Sequence, residues 1–235
     1  MEEKKVQSKR IQTSLLNAAE KKVLIKIANR LPRWTDPDQL TFIGFMGAVI
    51  IAIGFNLANL NAQFLWLCVV GFVINWYGDS LDGTLARVRN EQRPIYGFYV
   101  DHTMDAINEL LMFLGAGMSP YMRFDLSCVL LIFYFMLSLN VAMNTHLKGE
   151  FCLTYGKLGP TEFRLVCIVA CILIIAIKPL QTFSFTIPWI VGDLTLRTLD
   201  VVGGFLLVAL IIIYFSTIAQ DAKYYSKIDP KHKHD

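Results

Sequence analysis

The chain has 235 residues, of which 54% are hydrophobic and only 17% charged; its net charge at pH 7 is +3 and its mean hydropathy +0.47. Ordinary soluble domains carry about 25% charged residues, so this chain has too few to cover a soluble sphere of its size. The same numbers exclude a disordered chain, a fibrous repeat and a small disulfide-stapled domain, and they suit an all-α integral membrane protein.

In chain order, residues 1–30 lack the apolar core of a signal peptide. Leu15, Leu16, Ala19, Val23, Ile27 and Leu31 recur at helical spacing, with Lys21, Lys22, Lys26 and Arg30 on other faces. This predicts an amphipathic helix lying on the cytoplasmic membrane surface, ended by Pro32 and Pro37. Six apolar stretches follow, at 40–57, 64–81, 99–118, 124–144, 163–180 and 201–219. Each approaches the roughly 20 residues that cross a bilayer. Asp79, Asp82, Asp101 and Asp105 interrupt the second and third.

Nineteen of the 22 Lys and Arg fall before the first stretch, in alternate connections, or after the sixth. Only Arg123, Lys178 and Arg197 lie on the other side. That bias predicts six transmembrane helices with both termini cytoplasmic. The expected organisation is a juxtamembrane segment at 1–36, a six-helix domain at 37–222 and a cytoplasmic tail at 223–235. A bacterial inner membrane and an internal eukaryotic membrane fit equally. No nucleic-acid partner is expected from so mild a charge. Four of the five cysteines lie in apolar stretches without metal-ligand spacing and read as small core residues. The Lys-His-Lys-His tail reads as a solvated end.

The carboxylates inside the apolar stretches carry the chemistry. Asp79 and Asp82 are three residues apart, Asp101 and Asp105 four apart, so each pair shares a helix face. A short basic loop joins the two helices and brings the pairs together. Four carboxylates in one place repel, and each costs roughly 2.5 kcal/mol or more in mid-membrane. Protonation relieves this, and so does cation binding. Hard divalent cations such as Mg²⁺ or Mn²⁺ take oxygen ligands and share substrate phosphates, and two such ions about 4 Å apart suit phosphoryl transfer. Gly83, Ala86 and Gly97 leave room for a ligand near the backbone. Arg87 is placed either to pair with a diphosphate or to mark the inner face.

The pattern D-x-x-D-G-x-x-A-R, a nine-residue spacer, then G-x-x-x-D-x-x-x-D resembles the signature of the CDP-alcohol phosphotransferase family. The family's usual spacer is one residue shorter. The resemblance implies a six-span membrane enzyme of phospholipid synthesis, with a CDP-alcohol donor, a lipid or polar alcohol acceptor and CMP as leaving group. It implies Mg²⁺ or Mn²⁺, two ions, held by Asp79, Asp82, Asp101 and Asp105. Asp105 doubles as a candidate base, and His102 is a second candidate. Gly83, Ala86 and Arg87 would contact the cytidine diphosphate, with Gly97 beside them. A homodimer is also implied.

The run P-D-Q-L-T-F-I-G is similar to the family's start of the first span, with Asp38 where Asn is usual. The run D-H-T-M-D is similar to the choline and ethanolamine phosphotransferase branch, although Phe98 stands where that branch has a Glu. His146, Gly149, Gly159, Pro160 and Glu162 match the same branch, and Lys157 and Arg164 add positive charge nearby. Asn75 and Glu109 lie one turn outside Asp79 and Asp105. The expected reaction moves a CDP-linked polar head group onto a diacylglycerol-like hydroxyl. The opposite arrangement, CDP-diacylglycerol with a polyol, serine or polyol phosphate, uses the same motif. A cation-coupled transporter is the alternative of another class; it predicts acids at the bilayer centre and internal symmetry.

Overall fold

The computed structural model describes residues 9–11, 17–148, 150–152, 159–188 and 193–230. Leu15, Leu16, Gly149, Lys157 and the Lys-His-Lys-His tail lie outside these residues. The helices are α1 (Asn17–Ala28), α2 (Pro37–Leu57), α3 (Leu65–Arg89), α4 (Pro94–Gly117), α5 (Phe124–Lys148), α6 (Pro160–Ala176), α7 (Lys178–Gln181) and α8 (Thr198–Ile228). Two strand pairs depart from the all-helical expectation. β1 (Lys9–Ile11) pairs in parallel with β2 (Glu150–Cys152), and β3 (Ser184–Ile187) pairs antiparallel with β4 (Leu194–Arg197). None of the four lies in a long apolar segment.

Four helical stretches are long and apolar enough to cross a membrane: Pro37–Leu57, Ala62–Arg89, Phe124–Leu147 and Thr198–Ile228. The chain is therefore a multi-pass, mostly helical membrane protein. Acids lower the apolarity of α4, and α6 has 17 residues, about 26 Å at the helical rise. α8 extends past the expected end at 219 to Ile228, taking Lys223 and Lys227 into the helix.

Local chemistry sets the helix starts. Asp36 caps α2, its carboxylate accepting from the Asp38 N–H at 3.1 Å, while Gln39 Oε1 accepts from the Asp36 N–H at 3.1 Å. Pro37 sits at the first helical position. α6 begins at Pro160, and Glu162 Oε2 accepts from the Gly159 N–H at 2.9 Å. Asp200 opens α8 by accepting from the Arg197 N–H, and also accepts from the Arg123 N–H, each at 2.8 Å. That second bond fixes α8 to the turn between α4 and α5.

α2 and α3 meet backbone to backbone. A Cβ built on Gly78 would lie 2.6 Å from the Gly44 Cα, and one on Gly71 would lie 2.9 Å from the Gly47 carbonyl oxygen. Only glycine permits that approach, as in other membrane helix pairs. The buried Asn75 donates to the Gly44 carbonyl at 2.9 Å across the seam. Ile51, Phe55, Leu65, Cys68 and Phe72 bury beside Cys171 and Ile174 of α6. A second cluster, Phe113, Met122, Leu130 and Leu131, joins α4 and α5, with Leu206, Leu207 and Leu210 of α8 against it.

α1 docks on α3 and the base of α2 through Leu24 and Ala28, which are buried with Leu40, Leu81 and Leu85. Ile27 and Leu31 of the expected apolar stripe pack against the same cluster, while Ala19 and Val23 of that stripe are exposed on the protein's surface.

Candidate active site

α3 carries Asp79 and Asp82; α4 carries Asp101 and Asp105. One carboxylate oxygen from each of Asp79, Asp101 and Asp105 lies within 4.8 Å of the others. Asp82 stands outside that group. It is 7% exposed, and its Oδ2 accepts from the Thr41 hydroxyl at 2.7 Å and its Oδ1 from the Gly83 N–H at 2.5 Å. The reason is helical geometry: three residues at 100° each leave Asp82 about 60° round from Asp79, facing α2. A spacing of four, as between Asp101 and Asp105, leaves only about 40°.

A cavity of about 1060 Å³ opens beside these carboxylates, between α1, α2, α3, α4, the start of α6 and the link from α1 to α2. Asp79, Asp82, Gly83, Ala86, Arg87, Gly97, Asp101, His102 and Asp105 all line it. Gly97 faces open space, with nothing within 4 Å of a built Cβ, whereas a Cβ on Gly83 would meet the Arg87 guanidinium at 3.4 Å. Arg87 donates to Thr84 Oγ1 at 3.1 Å. Lys21 and Arg33 add basic side chains to the walls.

His102 lies on the rim. Its Nδ1 is 2.8 Å from the Phe98 carbonyl, and its ring stacks on Phe98 with centroids 4.1 Å apart. A proton on Nδ1 satisfies that carbonyl and leaves Nε2 as the basic nitrogen. The Asp101 carboxylate is 3.9 Å from Nδ1. A second cavity of about 710 Å³ adjoins on the other side of Phe98 and His102. Its remaining lining is Ile95, Tyr99, Thr103, Ala106, Ile107, Leu110 and Phe135, almost all apolar.

Arg164 has a larger part than its sequence context indicates. From α6 it reaches Asp79 Oδ2 at 2.5 Å, with its side chain only 12% exposed. Glu109, one turn past Asp105, lies beside Tyr134. Asn75 serves the α2–α3 seam, and Gly159, Pro160 and Glu162 build the start of α6. His146 is exposed near the end of α5. Asp38 accepts from Arg93 at 3.3 Å and from the Tyr96 hydroxyl at 3.2 Å, and the Arg93 guanidinium lies 3.6 Å over the Tyr96 ring.

The profile of the CDP-alcohol phosphatidyltransferase family matches residues 34–196, well over half of the chain. The chain belongs to this family. The resemblance seen in the aspartate motif is borne out, as is the enzyme class, a transferase of phospholipid biosynthesis. An archaetidylinositol phosphate synthase from Pyrococcus horikoshii is 30% identical over 134 residues, 57% of this chain and 68% of that one. Cholinephosphotransferase 1 from Homo sapiens is 26% identical over 186 residues, 74% of this chain and 43% of the human protein. The bovine cholinephosphotransferase 1 is 24% identical over 185 residues, again 74% of this chain and 43% of its own. The chain thus spans less than half the length of the cholinephosphotransferases it matches.

Proposed function

We propose that the protein moves a substituted phosphate from a CDP-alcohol to a lipid hydroxyl at the cytoplasmic face of the membrane, releasing CMP. The observation that carries this reading is the convergence of Asp79, Asp101 and Asp105 in a wide polar cavity that shares His102 with an apolar groove. A charged nucleotide suits the first space and an acyl chain the second. Six membrane-spanning helices, with α4 and α6 completed by their neighbours, and cytoplasmic termini agree with the bias of basic residues. The acids would then lie near that face rather than at the midplane, which disfavours a cation-coupled transporter.

The three convergent carboxylates fit a hard divalent cation, Mg²⁺ or Mn²⁺, and Asp82 is near enough along α3 to serve a second. Such ions, when bound, supply positive charge to the diphosphate and to the departing CMP phosphate. In the reaction, the acceptor oxygen forms a bond to the phosphorus that bears the donor alcohol, and the bond from that phosphorus to the oxygen of CMP breaks. The hydroxyl proton passes to a nearby base. Asp105, inside the cluster, is the first choice, and His102 Nε2 is the second. Arg87, at the cavity wall beside Gly83, faces the space for the cytidine diphosphate.

The preferred donor carries a polar head group, as in the cholinephosphotransferases that match the larger share of the chain. The buried Arg164 beside Asp79 favours a second reading. It would hold a phosphate on the acceptor, with CDP-diacylglycerol as donor; the matching synthase from Pyrococcus horikoshii is named for an inositol phosphate product. Purified protein incubated with CDP-choline or CDP-ethanolamine plus diacylglycerol, or with CDP-diacylglycerol plus a polyol phosphate, tests both. CMP release confined to the first set supports the preferred reading. Release confined to the second supports the alternative, and release from neither refutes the function.

A further inference from the structure

α1 is the least apolar helix beside the site, and its Glu20 is its first acidic residue. In a basic surface helix a lone glutamate would ordinarily face water. Here Glu20 Oε1 accepts from Trp76 Nε1 at 2.7 Å, from Ser80 Oγ at 3.3 Å and from Thr161 Oγ1 at 2.7 Å. Trp76 and Ser80 flank Asp79 on α3. Thr161 stands three residues before Arg164 on α6, the residue that pairs with Asp79. One oxygen therefore joins three helices around a single carboxylate of the site.

The far end of α1 is fixed to the same helix. The Arg89 guanidinium donates to the carbonyls of Leu31, Pro32 and Thr35 at 3.2, 2.7 and 2.5 Å. Between these ties Leu24 and Ala28 are buried against Leu81 and Leu85. α1 thus runs along the α3 segment that holds Asp79 and Asp82, tied to it at Glu20 and, through Arg89, at the link that follows α1, and its Glu20, Lys21 and Leu24 also line the cavity. Trp76, Ser80 and Thr161 are all partly buried, and Trp76 also packs against the Leu24, Ala28, Leu40, Leu81 and Leu85 cluster, so the polar arm to Thr161 is the tie that apolar packing does not duplicate.

We infer that Glu20 is a positioning residue for the metal cluster: by holding Ser80 of α3 and Thr161 of α6 on one oxygen, it sets Asp79 and Arg164 in register. Glu20 lies in the cavity wall, and none of its three bonds is to a carboxylate of the cluster. Groups that orient ligating carboxylates commonly govern metal affinity by 10–100-fold. All three bonds fall on one acceptor oxygen, so glutamine can make them and alanine cannot.

The inference rests on Asp79 being a metal ligand, and the test separates the two. Binding of Mn²⁺ alone to the full chain in detergent is followed by the loss of the free-ion electron paramagnetic resonance signal. Glu20→Ala should raise the dissociation constant about tenfold, while Glu20→Gln stays within about threefold of the wild type. Thr161→Val removes only the α6 arm and should weaken Mn²⁺ binding while leaving the docking of α1 on α3; it also serves if Glu20→Ala does not fold. Equal Mn²⁺ binding by the wild type, Glu20→Ala and Thr161→Val overturns the inference alone. Loss in Glu20→Gln as large as in Glu20→Ala overturns its hydrogen-bond basis. A wild type that binds no Mn²⁺ removes the metal reading, and the inference with it.

Discussion

Gly78→Ala places a methyl group where α2 already is. The new Cβ would lie 2.6 Å from the Gly44 Cα, with backbone, not a yielding side chain, on the other side. Carbon atoms rest at about 3.5–4.0 Å, so α2 and α3 must separate by about 1 Å. Overpacking of this kind costs about 1–3 kcal/mol. The same separation stretches the 2.7 Å Thr41–Asp82 bond to about 3.7 Å, beyond hydrogen-bonding range. A hydrogen bond to a charged group contributes about 1.5–3 kcal/mol. Alanine's better helix propensity returns about 1 kcal/mol, leaving a net loss of about 3 kcal/mol. For a chain of this length that lowers Tm by about 6–12 °C. Thermal unfolding of detergent-purified protein measures it. Gly204→Ala, with nothing within 4 Å of the built Cβ, is the control and should not lower Tm. A Gly78→Ala variant within about 2 °C of the wild type would refute the backbone contact.

Arg164→Leu leaves the Asp79 carboxylate without its guanidinium in a site where both are largely enclosed. It should cost about 3 kcal/mol of stability by thermal unfolding, and Arg164→Lys should restore only part because the planar fork is lost. Arg89→Ala releases the carbonyls of Leu31, Pro32 and Thr35; about 1–2 kcal/mol is expected, read as faster proteolysis between α1 and α2. Asp38→Asn removes an exposed pair, with the Asp38 side chain 45% exposed, and should change stability by less than about 1 kcal/mol in the same melt.

The carboxylate pairs were legible in the sequence because helical spacing is a local property. Two antiparallel helices with a short connection had to bring Asp79 and Asp105 near each other. The different position of Asp82 was legible in principle, since a spacing of three turns it away, but its partner Thr41 is 41 residues distant. The glycine seam was not legible. Gly44, Gly47, Gly71 and Gly78 look like ordinary small residues in apolar helices until the second helix is placed. Arg164 and Glu20 were hidden for a related reason: each sits in a basic, polar setting whose local pattern reads as solvent-facing. Their partners lie on helices that only the tertiary fold brings together. Glu162 and Pro160, read as a branch motif, have a plain local role as the start of α6.

Asp101 tests the central claim most directly, because it belongs to the three-carboxylate cluster and lies on α4 beside His102, whose Nδ1 is 3.9 Å from its carboxylate. Asp101→Asn keeps the shape and removes one charge. CMP release, from whichever CDP substrate the wild type turns over, should fall about a hundredfold or more with Tm preserved. Undiminished CMP release from a folded Asp101→Asn protein would contradict the account.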